Sequence, residues 1–409
     1  MKVLRATAAA VLLFLCFSTF TAFKPKRGLS LTVKIDGAAA TEIFYGENKE
    51  KLPAAKKLFG FNYRKYAEKL KKEGLSDCEV LDKMFRGLTA DIEKLCAEQK
   101  TEAKNAVVDF KPDSKREKFV FTAERGGREI DKNKLYADIV GGLSEKKLTV
   151  KAVYKSLKPD ITVETLKKNT AKRGSFKTYY GYSAAARQNN IERAVSFING
   201  ARIAPSEIFS FNERVGPRTA ERGYMEAPII VDGKFQGGVG GGVCQVSTTL
   251  YNAVLYSDLA VKHVNRHSLP VRYVQPSFDA MVSSVSDFRF INNTESDIFI
   301  EASCVDGFVV FTLYGAPPEY EIKLVGEKLK SIEAEVQYID DDTLPEGEEN
   351  VIAQGANGFT SRGFMLKYRN GELVSNIEIR RDSYAAQKRV VVRGAKKQLE
   401  IDGGDMSAL

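Results

Sequence analysis

The chain has 409 residues, enough for about two to four domains at ordinary domain size. At 43% hydrophobic content it can build packed cores, which excludes an intrinsically disordered chain. The net charge is +9. That charge is spread along the sequence with no arginine-rich block and no nucleic-acid motif, so nucleic acid is not the expected partner.

Lys2 and Arg5 open the chain, and residues 6–23 (ATAAAVLLFLCFSTFTAF) carry no charge before Lys24 and Lys26. Such a stretch is either a signal peptide or a single membrane anchor. Cleavage after Ala22 would place bulky Phe20 at the −3 position. The expectation is therefore an uncleaved anchor over residues 1–26, with the rest of the protein outside the cytoplasmic membrane. Anionic lipid headgroups and wall polymers are then the partners a basic exported chain meets. Phe14 and Leu15 precede Cys16 where a lipoprotein would want small residues, so Cys16 reads as a hydrophobe inside the anchor. Of the other cysteines, Cys78 and Cys96 could pair in an oxidising compartment, or remain buried free thiols. No CxxC pair suggests a metal site, and no cofactor is expected.

Residues 27–168 read as mixed α and β. Residues 30–35 (SLTVKI) alternate as a strand, whereas residues 54–72 and 77–104 have helical periodicity. Residues 119–122 form a strand, residues 131–143 a helix capped by Asp131, and residues 148–153 another strand. The pattern resembles the small wall-binding domain that often precedes transpeptidase-type domains in exported bacterial proteins. An unrelated α+β spacer is the alternative. Residues 167–177 (KKNTAKRGSFK) are basic and polar and suggest a linker, which starts the next domain at residue 169.

In residues 169–317 a helix over residues 189–199 places Ile191, Ala194, Val195 and Ile198 on one face. An Asp232-Gly233 turn closes a hairpin. Residues 237–242 (GGVGGG) then run into Cys244, and a helix is expected over residues 245–257. A thiol at a helix start feels the partial positive charge of unpaired N–H groups, which favours the thiolate. The glycine N–H groups around Gly241 and Gly242, with that of Gln245, could stabilise an oxyanion. Ser247 and Thr248 in the first turn could donate hydrogen bonds to the site. A cysteine nucleophile needs a base, and the chain has two histidines, His263 and His267. Asp279 is the nearest carboxylate to orient an imidazole, and Asp287 is the second choice. The plain alternative is a small buried hydrophobe at residue 244 and a structural histidine.

The blocks APSEIFSFN (204–212), VGPRT (215–219), GGGVCQVSTTLYNA (240–253), His267-Ser268, Asp279-Ala280 and DFRF (287–290) together resemble the VanW family. The family's usual PGE turn is Pro205-Ser206-Glu207 here, and its usual glycine two residues before the Asp-Ala pair is Ser277. The resemblance implies cell-wall work of the L,D-transpeptidase type. Cys244 would be the nucleophile, His267 the general base and acid, and Asp279 the group orienting His267. Arg218, Arg266 and Arg289 would be clamps for substrate carboxylates. A non-catalytic wall-binding or scaffold protein is the alternative. After residue 317 the chain turns to strands and turns such as Asn370-Gly371, with an acidic loop over residues 340–349. Residues 318–402 resemble the all-β G-five domain of bacterial surface proteins, a sugar-binding or spacer module. The expected fold class is α+β and multi-domain. Its centre is a Cys-bearing helix packed on antiparallel strands, and its C-terminal module is all-β.

Overall fold

The structure is a computed structural model that describes residues 28–39, 42–48, 62–145, 147–231 and 234–396. The expected anchor, Cys16 and the Asp232-Gly233 turn lie outside the described residues. Among the described residues no helix is long and apolar enough to cross a membrane. The described residues fall into two compact units, residues 28–104 with 125–160 and residues 105–124 with 161–396.

In the first unit the strand Gly28–Ile35 pairs with Ala38–Ala39, Ile43–Gly46 and, in parallel, Lys147–Lys151. Leu29, Leu31 and Val33 point inward by simple alternation. The expected long helix over residues 77–104 is instead two helices, Asp77–Met84 and Leu88–Glu98. Gly87, at a φ of 79°, starts the second. A capping box between Ser76 and Glu79 opens the first. Asp131 caps the helix Lys132–Gly141 by accepting from the Lys134 N–H at 3.0 Å. Cys78 and Cys96 are both free thiols, so the pairing considered from their proximity in sequence is not made.

The second unit holds a four-stranded antiparallel sheet in the order Ala201–Ile203, Ile298–Val305, Phe308–Gly315, Ala171–Tyr179. The helices Ala185–Ile198 and Val243–Tyr256 pack on it. The segment read as a linker therefore contains an edge strand. Lys172 and Lys177 face outward, Arg173 turns in to the Ser257 and Ala316 carbonyls, and buried Thr178 meets the Thr249 hydroxyl on the Cys244 helix at 2.7 Å. Exposed lysines on an edge strand mask its alternation. The hairpin Val107–Phe110 with Phe119–Thr122 also belongs to this unit and not to the first. Phe110 stacks on Phe119 at 5.0 Å, and both rings pack on Phe299 and Tyr314. Aromatic burial thus overrides sequence order.

Between residues 318 and 396 the chain is all-β. One sheet runs Glu321–Ile332, Gly358–Arg369, Glu372–Tyr384, and the other Val336–Pro345, Arg389–Lys396, Glu349–Ala353. The acidic stretch expected as a loop is largely strand, because Val336–Pro345 pairs in parallel with Arg389–Lys396 and Asp340 meets Arg393 at 2.5 Å. Ile322 and Leu324 enter the same hydrophobic core as Val246, Leu250 and Val254 of the Cys244 helix. The C-terminal module is thus fused to the central domain through shared apolar burial, the largest favourable contribution to such an interface.

Candidate active site

Cys244 is the second residue of the helix Val243–Tyr256. Gly242 precedes it at a φ of 108°, where a side chain is strained, and a Cβ there would lie 2.9 Å from Arg187 Cγ and 3.0 Å from Ile191 Cγ1. The glycine run therefore lets two helices close on the backbone that presents the sulfur. The residue is only partly buried. Its sulfur lies 3.3 Å from the Val282 carbonyl and 3.5 Å from the Val282 N–H.

His267 and Asp279 are 5% and 1% exposed, so their pairing is shielded from water. One carboxylate oxygen, Asp279 Oδ2, lies 2.7 Å from His267 Nδ1 and accepts from the His267 backbone N–H at 2.7 Å. With Nδ1 committed to Asp279, Nε2 is the ring nitrogen left for the sulfur. The His267 imidazole acts on the Cys244 thiol, while the sulfur's own hydrogen bonds are those to Val282. Burial pushes the Cys244 thiol up, but the His267 imidazole, the Val282 N–H and the Arg218 guanidinium outweigh it and hold the thiol below its usual range. Burial lowers the His267 imidazole, yet Asp279 and Cys244 raise it to about 9. Burial likewise works against ionised Asp279, and His267, Arg380 and Tyr384 hold it below the usual carboxylate range. The three directions agree on a thiolate beside an imidazolium beside a carboxylate.

The sulfur opens onto a cavity of about 1160 Å³. Among the described residues its cations are Arg187, Arg218, Arg272 and Lys328, with His267, and its one carboxylate is Asp279, already paired. Such a lining suits an anionic ligand.

Other residues singled out from sequence take different places. Gln245 is buried: its amide donates to Thr178 Oγ1 and the Tyr179 carbonyl, its carbonyl accepts from Arg187, and its backbone N–H donates to Gly242 O. It holds the helix start and has no free donor for an oxyanion. Ser247 and Thr248 are fully buried and donate to the Ala280 carbonyl at 2.6 and 3.3 Å. The Ala280 N–H returns a bond to Thr248, so these hydroxyls tie Asp279-Ala280 to the Cys244 helix and do not face a ligand. Gly241 and Gly242 line the cavity. Arg218 does too, with one nitrogen 2.5 Å from Asn212 Oδ1. Arg266 and Arg289 do not. Arg266 is exposed and turned onto the His267 carbonyl, and Arg289 is ion-paired with Asp287 at 2.7 Å. Asp287 also accepts from Ser210 and the Asn212 N–H, which makes it a structural carboxylate. His263 is exposed beside Asn265.

Residues that local pattern does not reveal complete the site. Arg187 and Tyr273 line the cavity, and burial followed by the Cys244 charge pushes the Tyr273 phenol up. Tyr384 donates to Asp279 Oδ1 at 2.6 Å, and Arg380 donates to the Asp279 carbonyl. Both lie on Glu372–Tyr384, a strand of the C-terminal module.

The two departures from the family pattern are conformationally costly. Ser206 and Ser277 have φ of 65° and 66°, the left-handed region that glycine enters freely. The Ser277 hydroxyl offsets part of that cost by meeting Ser361 Oγ at 2.8 Å.

Residues 186–314 match the family described as VanW like protein, and residues 326–396 match the G5 domain. The chain is 42% identical over 149 residues to the uncharacterized protein YoaR of Bacillus subtilis, which covers 36% of this chain and 49% of that relative. It is 29% identical over 90 residues to the vancomycin B-type resistance protein VanW of Enterococcus faecalis, covering 22% of this chain and 32% of that one. The chain thus spans about half or less of the length of these curated relatives. Among solved structures it is similar to HP0197-G5 (17% identity, 18% of this chain and 99% of that chain, TM-score 0.13). It is also similar to the IgA1 protease G5 domain (23% identity, 20% and 96%, TM-score 0.15). The chain therefore carries a VanW-like domain followed by a G5 domain.

Proposed function

We propose that this is a cell-wall-associated cysteine acyltransferase of the L,D-transpeptidase type, with Cys244 as nucleophile. The observation that carries the reading is the Asp279–His267 pair at 2.7 Å, buried beneath a thiol that opens onto a cation-lined cavity. The Cys244 thiolate attacks the carbonyl between the third and fourth residues of a stem peptide. His267 Nε2–H gives its proton to the departing amine, which leaves a thioester on Cys244. A side-chain amine of a second stem then attacks the thioester. His267 takes its proton as the sulfur leaves, and the enzyme is restored with no redox change. Asp279 holds the imidazole in the tautomer this requires. The N–H of Cys244 at the helix start is the donor best placed for the oxyanion, since those of Val243 and Gln245 bond within the turn. Arg218 and Arg187 supply the charge for stem carboxylates.

The test is Cys244→Ala incubated with purified tetrapeptide muropeptides. Loss of 3→3 cross-linked dimers by a factor of about 10⁴ or more is expected for removal of a nucleophile. Dimers formed at the wild-type rate would overturn the reading. Shortened stems without dimers would assign the same residues to peptide hydrolysis.

A non-catalytic wall-binding protein is the second reading, favoured by the G5 domain, a module associated with cell-wall and glycan-like ligands. Retention on purified wall with no covalent product from either wild type or variant would select it. An exported protein tethered by residues 1–26 fits both readings. Fractionation of whole cells, with the chain recovered in the soluble cytosol, would exclude that location.

A further inference from the structure

We propose that the G5 domain supplies the positioning half of the cysteine site: Tyr384 and Arg380 hold Asp279, and through it His267, in register with Cys244. The inference rests on the reading of Cys244, His267 and Asp279 as a reactive group, and it assigns the module a role inside the site rather than as a spacer or sugar binder.

Four residues of the module converge. The Tyr384 hydroxyl donates to Asp279 Oδ1 at 2.6 Å while accepting from the Ser277 N–H at 2.9 Å. Arg380 donates to the Asp279 carbonyl and stands 3.7 Å from its carboxylate. The Ala385 N–H donates to the Ser268 carbonyl at 3.0 Å, beside His267. The Ser361 hydroxyl meets that of Ser277. One strand end therefore grips both the His-bearing and the Asp-bearing segments. Tyr384 is 1% exposed, so its bond to Asp279 is not shared with bulk water.

Two glycines of the module permit this approach. A Cβ on Gly326 would fall 2.6 Å from the Pro276 carbonyl, and one on Gly363 would fall 3.1 Å from Ser277 Cβ. Residues 275–277 thus lie against bare backbone of the module. The charge environment is closed as well. Arg380 pairs with Asp382 at 2.9 Å and stands 5.8 Å from the Tyr251 ring centre on the Cys244 helix. On the other side, Cys244 faces His267, Arg218, Arg187 and Tyr273. Without the Tyr384 hydroxyl, Asp279 Oδ1 keeps only Arg380, and the carboxylate can rotate away from His267 Nδ1. Partners that orient a functional side chain in this way typically change activity tenfold to a hundredfold when removed.

The experiment follows iodoacetamide alkylation of Cys244 in the full chain from pH 5 to 9, read by peptide mass spectrometry. Wild type, Tyr384→Phe, Arg380→Lys and Lys367→Gln are compared. Lys367 pairs with Asp258 at 2.5 Å, across the same boundary but at the far end of the Cys244 helix, and so reports module docking alone. Tyr384→Phe should move the rising limb of the profile up by about one pH unit, an approximately tenfold slower reaction at pH 6.5. Arg380→Lys keeps the charge but loses the planar fork, and should shift the limb in the same direction by less. Lys367→Gln should lower the melting temperature and leave the limb in place. A wild-type limb well below the ordinary thiol range, with both site variants unmoved, overturns this inference and leaves the acyltransferase reading standing. A wild-type limb at ordinary thiol pH overturns both.

Discussion

Cys244 and Cys304 are two partly buried thiols in the same unit, and they differ in direction. Burial pushes both up. For Cys304, on the strand Ile298–Val305, burial prevails over a hydrogen bond from the neutral Tyr180 phenol, and nearby Glu192 adds to it. For Cys244 the partners are an imidazole backed by a carboxylate, a backbone N–H and a guanidinium, and together they reverse the burial penalty. Cys96, in the first unit, behaves as Cys304 does: burial raises it, and the charge of Lys132 does not compensate. The lesson is that helix position and burial do not make a thiol reactive. A proton acceptor held in place by a second group does.

The sharpest way to break that contrast is to alkylate all three thiols together at pH 6 and resolve them by peptide mapping. An ordinary thiol is under one per cent ionised there, so Cys244 should react about 10²-fold faster than Cys304 and Cys96. Equal rates would remove the distinction between the two environments.

A second measurement concerns stability. His267, raised to about 9 against about 6.5 when unfolded, contributes stability that is full below about pH 6.5 and lost as pH rises through about 9. Asp279, held below its ordinary value, contributes above about pH 3.9 and loses that contribution on acidification. Cys244, held below its usual range by His267, adds stability as pH rises toward about 8.5 and offsets the early loss, so the melting-temperature gap between wild type and His267→Gln should hold to about pH 8.5 and narrow from about pH 9 to 10. A gap that widens with pH would reverse the assigned charge states.

The smallest effects separate the arginines. Arg218 lines the cavity and favours the thiolate, so Arg218→Ala should slow Cys244 alkylation at pH 6 by about three- to tenfold. Arg289→Ala should leave it within about twofold, because that guanidinium is exposed and occupied by Asp287. Equal effects would mean that net charge, not placement, sets the thiol.

Much of this was legible along the chain. Alternation marks the strand Gly28–Ile35, an Asp cap marks the helix from Lys132, and the apolar stripe Val246, Leu250, Val254 marks the Cys244 helix. Those are short-range signals, set by backbone period and capping. The short census of histidines reduced the candidate bases to two, and the structure places His267, not His263, on the cavity that Cys244 lines. Less was legible where a residue's partner lies far away in sequence. The basic stretch before Tyr179 is a strand only because Phe308–Gly315 pairs with it. Arg266 and Arg289 share the residue type of Arg218, and only folding turns them out of the cavity.

By itself, the sequence determined the capped helices, the alternating strand at the start of the first unit, and the glycine run that leads into Cys244, because each is written in a few consecutive residues. Tertiary structure alone decided that Gln245, Ser247 and Thr248 face inward as ties. It alone decided that Tyr384 meets Asp279 across 105 residues of chain. Contacts of that kind follow from which apolar faces bury together, and no local spacing encodes them.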